Sequence, residues 1–574
     1  MRIVVLAPLL IAAGVALSAT FVAAQETIFD PENPAYDAPA EPDAKEQGGE
    51  TIFDPENPAS EDIPQRPHSA EPVAFEAPSF TSARFLGSYA IALFVDTAFN
   101  GPEEDIVELT NELSLRLEFD LSLRTRAVVS GRFTHWLGGR ENPAQTDLLI
   151  NATDVRTHYE ARLDEAYLLH RPGRWSLAIG NMRTPWGSTD LLRPGDVINP
   201  TDMGASGGAA ATGALMPQLT ASASYAADGW SLSALIVPFF VPNRVTVFGR
   251  DTALASSQNT MLSEQMGILT LLQRVIDPSL HGDVQPLLLA TRVPSDTPRN
   301  ASAGLRATTT AANTDLGLGI FYGWDRTPWI YVDEDMRELL ALVVTDAQVL
   351  EDFDFMGFVR RNPSALGISN RISAKRADGE EIFFSEYRRR TTLLVDLARY
   401  MGPIGVRADI AFSPSRTLYT SGFEATRRAS VFSALGLSYE RLDDNDALAL
   451  TVEGFWLHPF ARDCAINRAF VSESDRGPED AKLALIGDGL YGLAGALMWS
   501  VPMLDNVELQ LGGLYNISNR DWLSSGALSK RWQSWLRATV GVALFGGPDP
   551  AERLSLGGLW ANNDHLFFAI DGDF

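Results

Sequence analysis

Residues 180–204 read GNMRTPWGSTDLLRPGDVINPTDMG. Arg183, Asp190, Arg193, Asp196 and Asp202 place charges of both signs here, beside Trp186. The Gly and Pro content breaks helix and strand alike. Charges on such a stretch can steer an ionic solute, bind an ion, or cap their own turns. Covalent catalysis asks for more, because a nucleophile needs a base within reach. The histidines His68, His135, His158, His170, His281, His458 and His565 fall in no Ser/His/Asp spacing, and no G-x-S-x-G occurs. No His/Cys/carboxylate spacing suggests a metal. The expectation is therefore no catalytic residue, no cofactor, no metal and no enzyme. The stretch is expected to be a loop between two strands.

The elements around it alternate with period 2. In DIVELTNELSLRLEFDLS, from Asp105, the odd positions Val107, Leu109, Leu113, Leu115, Leu117, Phe119 and Leu121 oppose Glu108, Glu112, Arg116, Glu118 and Asp120. That run is too long for an average soluble strand and suits a tilted transmembrane one. RTRAVVSGRFTHW, NVELQLGGLYNIS and KRWQSWLRATVGVALF repeat the pattern. Tight links (122–125, 170–175, 226–229, 311–314, 401–405, 442–446) alternate with long ones (139–154, 185–217, 241–299, 326–385, 460–487). Short turns at one end and long loops at the other are the pattern of an outer-membrane barrel. Sixteen strands are expected up to about residue 545, with 552–561 and the terminal HLFFAIDGDF raising the number to 18. The fold class is thus all-β, a closed antiparallel transmembrane barrel of 16–18 strands. Helical segments are expected in the long loops at 259–277 and 333–350. Arg116, Glu118, Arg126, Arg132, Arg390, Asp396, Glu453, Glu508 and Arg537 fall on the polar series and are expected to line the lumen.

The ends read differently. Residues 1–24 form a signal peptide: Arg2, an apolar run, and small residues at Val22-Ala23-Ala24. Residues 25–80 carry 14 acidic residues against Lys45 and Arg66, with ten prolines, and repeat ETIFDPENPA at 26–35 and 50–59. Such a segment buries too little to fold, so an acidic periplasmic arm is expected. Its repeat reads as a docking peptide or as a spacer. The barrel would occupy 81–574. The single Cys464 excludes an intrachain disulfide, and a net charge of −27 argues against nucleic acid.

The order of LDEAYLLHRPGRWSLAIGNMRTPWG, DLLRPGDVINPTD, a small-residue run and MPQLTASASYAADGWSLSALIVPFF resembles a family of large, uncharacterised proteobacterial outer-membrane β-barrel proteins. The matching positions are Glu165, Ala166, Tyr167, Gly180, Trp186, Gly187, Asp190, Asn199, Pro200 and Asp202, within about 162–240. The family's genes often lie beside RND-type exporters of lipids or hydrophobes. The resemblance implies an outer-membrane channel or transporter for a small or amphiphilic, even lipid-like, molecule, with an exporter partner in the periplasm or inner membrane. Other expected partners are outer-membrane lipid, lipopolysaccharide and, through Phe574, the barrel-assembly machinery. Within the barrel, 185–217 is expected to fold inward as a constriction bearing Arg183, Trp186, Asp190, Arg193, Asp196 and Asp202. The second reading is a closed barrel that acts as an envelope or surface interaction protein, its arm holding a periplasmic partner.

Overall fold

The computed structural model describes residues 82–97, 107–138, 159–202, 214–243, 290–345, 355–420 and, with short interruptions, 424–574. The expected leader and arm, and the helix expected over 259–277, lie outside the described residues.

Eighteen strands form the wall: β1 (Ser82–Asp96), β2 (Val107–Ser122), β3 (Thr125–Gly138), β4 (Tyr159–His170), β5 (Trp175–Met182), β6 (Gln218–Ala227), β7 (Trp230–Val237), β8 (Ser302–Ala311) and β9 (Thr314–Trp324). The second half is β10 (Arg389–Met401), β11 (Ile404–Tyr419), β12 (Ala425–Asp443), β13 (Asp446–Pro459), β14 (Leu490–Ser500), β15 (Val507–Asn516), β16 (Asp521–Gln533), β17 (Leu536–Gly546) and β18 (His565–Asp573). Each pairs antiparallel with the next, and β18 returns to β1 from Ser88↔Asp573 to Asp96↔His565. The sheet is a closed barrel with no free edge, which satisfies every ladder hydrogen bond within the wall. Phe574 completes the seam. Its N–H donates to Gly87 O and its carbonyl accepts from Gly87 N–H, both at 2.8 Å.

The period-2 pattern sorts side chains by face. Ile179, Leu318, Leu435 and Leu437 are more than half exposed on the outside. Asp409 and Glu453 are fully buried on the inside. One end carries the tight turns, such as the left-handed Ala312–Asn313 pair between β8 and β9. The other end carries the long links, although 419–425 and 516–521 are short there too.

The strand number is 18, but not by the expected route. KRWQSWLRATVGVALF is two strands, β16 and β17, joined at Ser534–Trp535, where Gln533 faces Leu536. No Gly, Pro or Asn marks that turn. Conversely, 552–561 supplies no wall strand. It holds the short helix Leu556–Leu559, and a Cβ on Gly557 would lie 2.2 Å from Gly546 O. The loop helix expected over 333–350 runs from Glu334 to Thr345. It packs on a helix not expected from the sequence, Ser364–Ala377, with Met336, Leu339, Ile368 and Ile372 buried. Asp333 and Asp335 hold Lys375 at 2.7 and 2.8 Å.

Candidate functional site

The link from β5 to β6 turns into the barrel. Gly180 sets its departure: φ is +142°, and a Cβ would lie 2.2 Å from Ala166 O. Only glycine lets β4 and β5 run this close. Glu165 then receives the Arg183 N–H at 3.3 Å and the Arg116 guanidinium at 3.1 Å. Trp186 sinks into a notch made by missing side chains. A Cβ on Gly304 of β8 would lie 2.7 Å from its indole, and one on Gly319 of β9 would lie 3.3 Å away. Phe321 meets the indole edge-on at 6.4 Å between centroids.

Two wall carboxylates then latch the loop tip. Asp409 on β11 accepts from the Ser188 N–H at 2.8 Å and the Thr189 N–H at 3.4 Å, and from both hydroxyls. Glu453 on β13 accepts from the N–H groups of Asp190, Leu191 and Leu192 at 2.6, 3.1 and 2.7 Å. Five successive backbone donors thus face two anions, the arrangement of an anion-binding nest. Gly187, at φ +112°, lets Asp409 approach: a Cβ there would lie 2.4 Å from its Oδ2. Asp190 pairs its own carboxylate with Arg407. Leu191 and Leu192 are buried with Leu418, Ala434, Phe455, Leu457 and Leu490. A second cluster joins Trp186 and Ile198 to Leu235, Val237, Phe321, Leu394 and Ala411. Fully burying each such side chain contributes about 1.5–3 kcal/mol. The tip therefore rests on β13, eight strands round a ring of eighteen from β5 and nearly on the opposite wall.

The return limb, 193–202, is tied back to the outgoing one. Asn199 accepts from the Thr184 N–H at 2.9 Å and donates to Asp196 at 3.0 Å. Burial, opposed by Arg193, pushes Asp196 up to about 6. Arg326, from the β9–β10 link, donates to the carbonyls of Ile198 and Val241 and to Gln218 Oε1. Asp202 pairs with Arg162 at 2.8 Å, and Pro200 O accepts from the Met216 N–H.

The residues expected to line the lumen divide into two kinds. Arg116 pairs with Glu118 and Glu165, Arg126 with Asp120 and Glu118, and Arg132 with Glu112 and Asp164. Arg537 pairs with Asp571, and Glu508 accepts from Gln510 at 2.5 Å. Asp396 is buried on Arg306 at 2.7 Å, and Arg390 holds the buried Asp325 at 3.1 Å. Glu453 differs in kind. It lies beneath the loop tip and faces backbone N–H groups rather than a water-filled lumen. Asp409, Arg407, Gly304, Gly319, Arg326 and Arg416 were not anticipated. The first four have a sequence signal, since they fall on the inward series of their strands and are charged or bare.

No family model and no curated protein matches the chain. Among solved structures it is similar to Pseudomonas aeruginosa OpdK with vanillate, at 10% identity and TM-score 0.39 over 86% of this chain and 100% of that one. It is also similar to Acinetobacter baumannii OccAB1, at 7% identity and TM-score 0.41 over 87% and 98%. A third is the Salmonella typhi OmpF complex with daunomycin, at 7% and 0.37 over 86% and 97%. The fold assignment rests on the strand register above, not on these likenesses.

Proposed function

We propose that the protein sits in an outer membrane and passes small solutes through a lumen narrowed by the loop 183–202. The carrying observation is the latch: Asp409 and Glu453 hold a loop from β5 against the far wall. The apolar outer face and the closed hydrogen-bond ladder support the membrane setting. The inner wall offers ion pairs more than apolar surface, which suits polar solutes better than lipid-like ones.

The family resemblance is part of this proposal, because eight of its ten motif residues serve the loop. Gly180, Glu165, Trp186, Gly187, Asp190, Asn199, Pro200 and Asp202 set its departure, anchor its tip or close its base. Recognition of Phe574 by the assembly machinery, contact with lipopolysaccharide and an exporter partner for the arm belong to the same reading.

Single-channel recording in planar bilayers tests it. Replacing 188–199 by a short Gly/Ser bridge is expected to raise conductance several-fold and to weaken ion selectivity. Unchanged conductance in a folded barrel would sink the constriction. No current from either form would favour the closed interaction barrel.

A further inference from the structure

Between the return limb of the loop and the β10–β11 wall lies a cavity of about 90 Å³. Its charged lining is Arg193, Arg326, Arg390 and Arg416 against Asp196 and Asp325. The two acids in the lining do not balance its four cations, although Arg193 also feels the latch carboxylates Asp409 and Glu453. Asp325 is already engaged by Arg390 at 3.1 Å and by the N–H groups of Thr417 and Thr327 at 2.8 and 3.2 Å. Asp196 is bonded to Asn199, and burial favours its neutral form.

The arginines are less well served. Arg193 and Arg416 donate no side-chain hydrogen bond and form no ion pair among the described residues. The Nε atoms of Arg326 and Arg416 are buried without an acceptor. Burial, opposed by Asp196, pulls Arg326 down to about 9. Unpaired guanidinium donors gathered in a cavity cost stability unless an acceptor visits them.

The backbone has been bent to bring Arg416 here. Between Ser413 and Arg416 the β11–β12 register slips: three steps on β11 face two on β12, from Ser430 to Arg428. The bulge falls on Pro414–Ser415, where proline's missing donor is tolerated. Without it, strict alternation from Asp409 and Ser413 would send Arg416 to the outer face. With it, Ser413 and Arg416 both line the cavity.

We infer that this cavity is a binding site for a small oxyanion, a carboxylate or phosphate group, held by the guanidinium groups of Arg193 and Arg416. Planar guanidinium forks match such oxygens in pairs, and the volume suits a headgroup rather than a bulky solute. The site lies on the long-loop side of the latch, since Arg390 begins β10 and Arg416 is near the end of β11. It does not depend on passage of solute through the barrel.

Titration calorimetry on the full chain in detergent, with inorganic phosphate and with acetate, tests the inference. Saturable binding is expected for at least one of them. R416Q and R193Q should each weaken it about tenfold, R416K less than R416Q, and R174Q, at an exposed turn, not at all. Heat-modifiable gel migration checks that each variant folds. If R416Q does not fold, R193Q and the phosphate-dependent thermal shift of the unmodified chain decide. No saturable binding by the unmodified chain, or equal binding by folded R416Q and R193Q, overturns the site. A barrel that binds phosphate but passes no current keeps the site and loses the channel. One that conducts without binding loses the site alone.

Discussion

The tip of the crossing loop and its return limb are a few residues apart, yet they meet opposite kinds of wall. The tip, 188–192, meets acids, and every oxygen of Asp409 and Glu453 accepts a hydrogen bond from it. The return limb, 193–199, carries Arg193 and shares its cavity with Arg416, and neither guanidinium has a hydrogen-bond partner among the described residues, whereas Arg326 and Arg390 are engaged. Buried charge is costly in both places. At the tip the cost is offset by backbone partners, so those acids are structural. Along the return limb it is not, which marks the arginines as waiting for a ligand.

The contrast can be broken by substitution. The largest effect is expected at Trp186: W186A empties the glycine notch and should cost about 3–5 kcal/mol, read as a lower temperature for the gel-mobility transition. E453A follows. Water entering the vacated space repartners part of the three stranded backbone donors, so a net loss of about 1–3 kcal/mol is expected, with enough loosening of the loop to raise conductance noise. If E453A proves as stable as the unmodified chain, the latch is not what holds the tip. G304L forces the indole outward and should cost about 1–3 kcal/mol. R416Q is the opposing case: removing an unpaired buried cation should leave stability within about 0.5 kcal/mol or raise it. A loss as large as that of E453A would erase the distinction between the two walls.

The smallest effect is a pH dependence. Asp196 has its folded value raised from 3.8 to about 6. The folded chain therefore keeps a proton that the unfolded chain has shed between those values. Its contribution to stability is complete below about 4, declines as pH rises to 6, and is flat above. The same proton removes a negative charge from the cavity. Sulfate, whose charge is constant over this range, should bind a few-fold more tightly at pH 5 than at pH 8. D196N should abolish the difference, and a D196N chain that keeps it would assign the titration elsewhere.

Much of the wall was legible because lipid on one face and water or protein on the other impose period 2 on every strand. The β16–β17 turn was not, because Ser534–Trp535 lacks the residues that usually announce a reversal. LSLGGLW misled for the opposite reason, since its glycines serve close docking rather than extended backbone. The loop's special residues were visible, but its anchors were not: Asp409 is 221 positions from Ser188 and Glu453 is 261 from Leu192. Local pattern carries no information about which distant carboxylate meets which N–H. Arg416 was hidden by parity, since the bulge reverses the face that counting assigns to it.

The seam at Gly87 and Phe574 joins positions 487 apart in the chain (574 − 87). Every other neighbouring pair of wall strands is joined by one intervening link. The ring therefore behaves like a zip whose last tooth must find its first. Until β18 reaches β1, the two strands present bare edges, open to pairing with other chains and to proteases. Losing that one seam would leave nearly all of the wall's pairing intact and yet yield a sheet, not a tube.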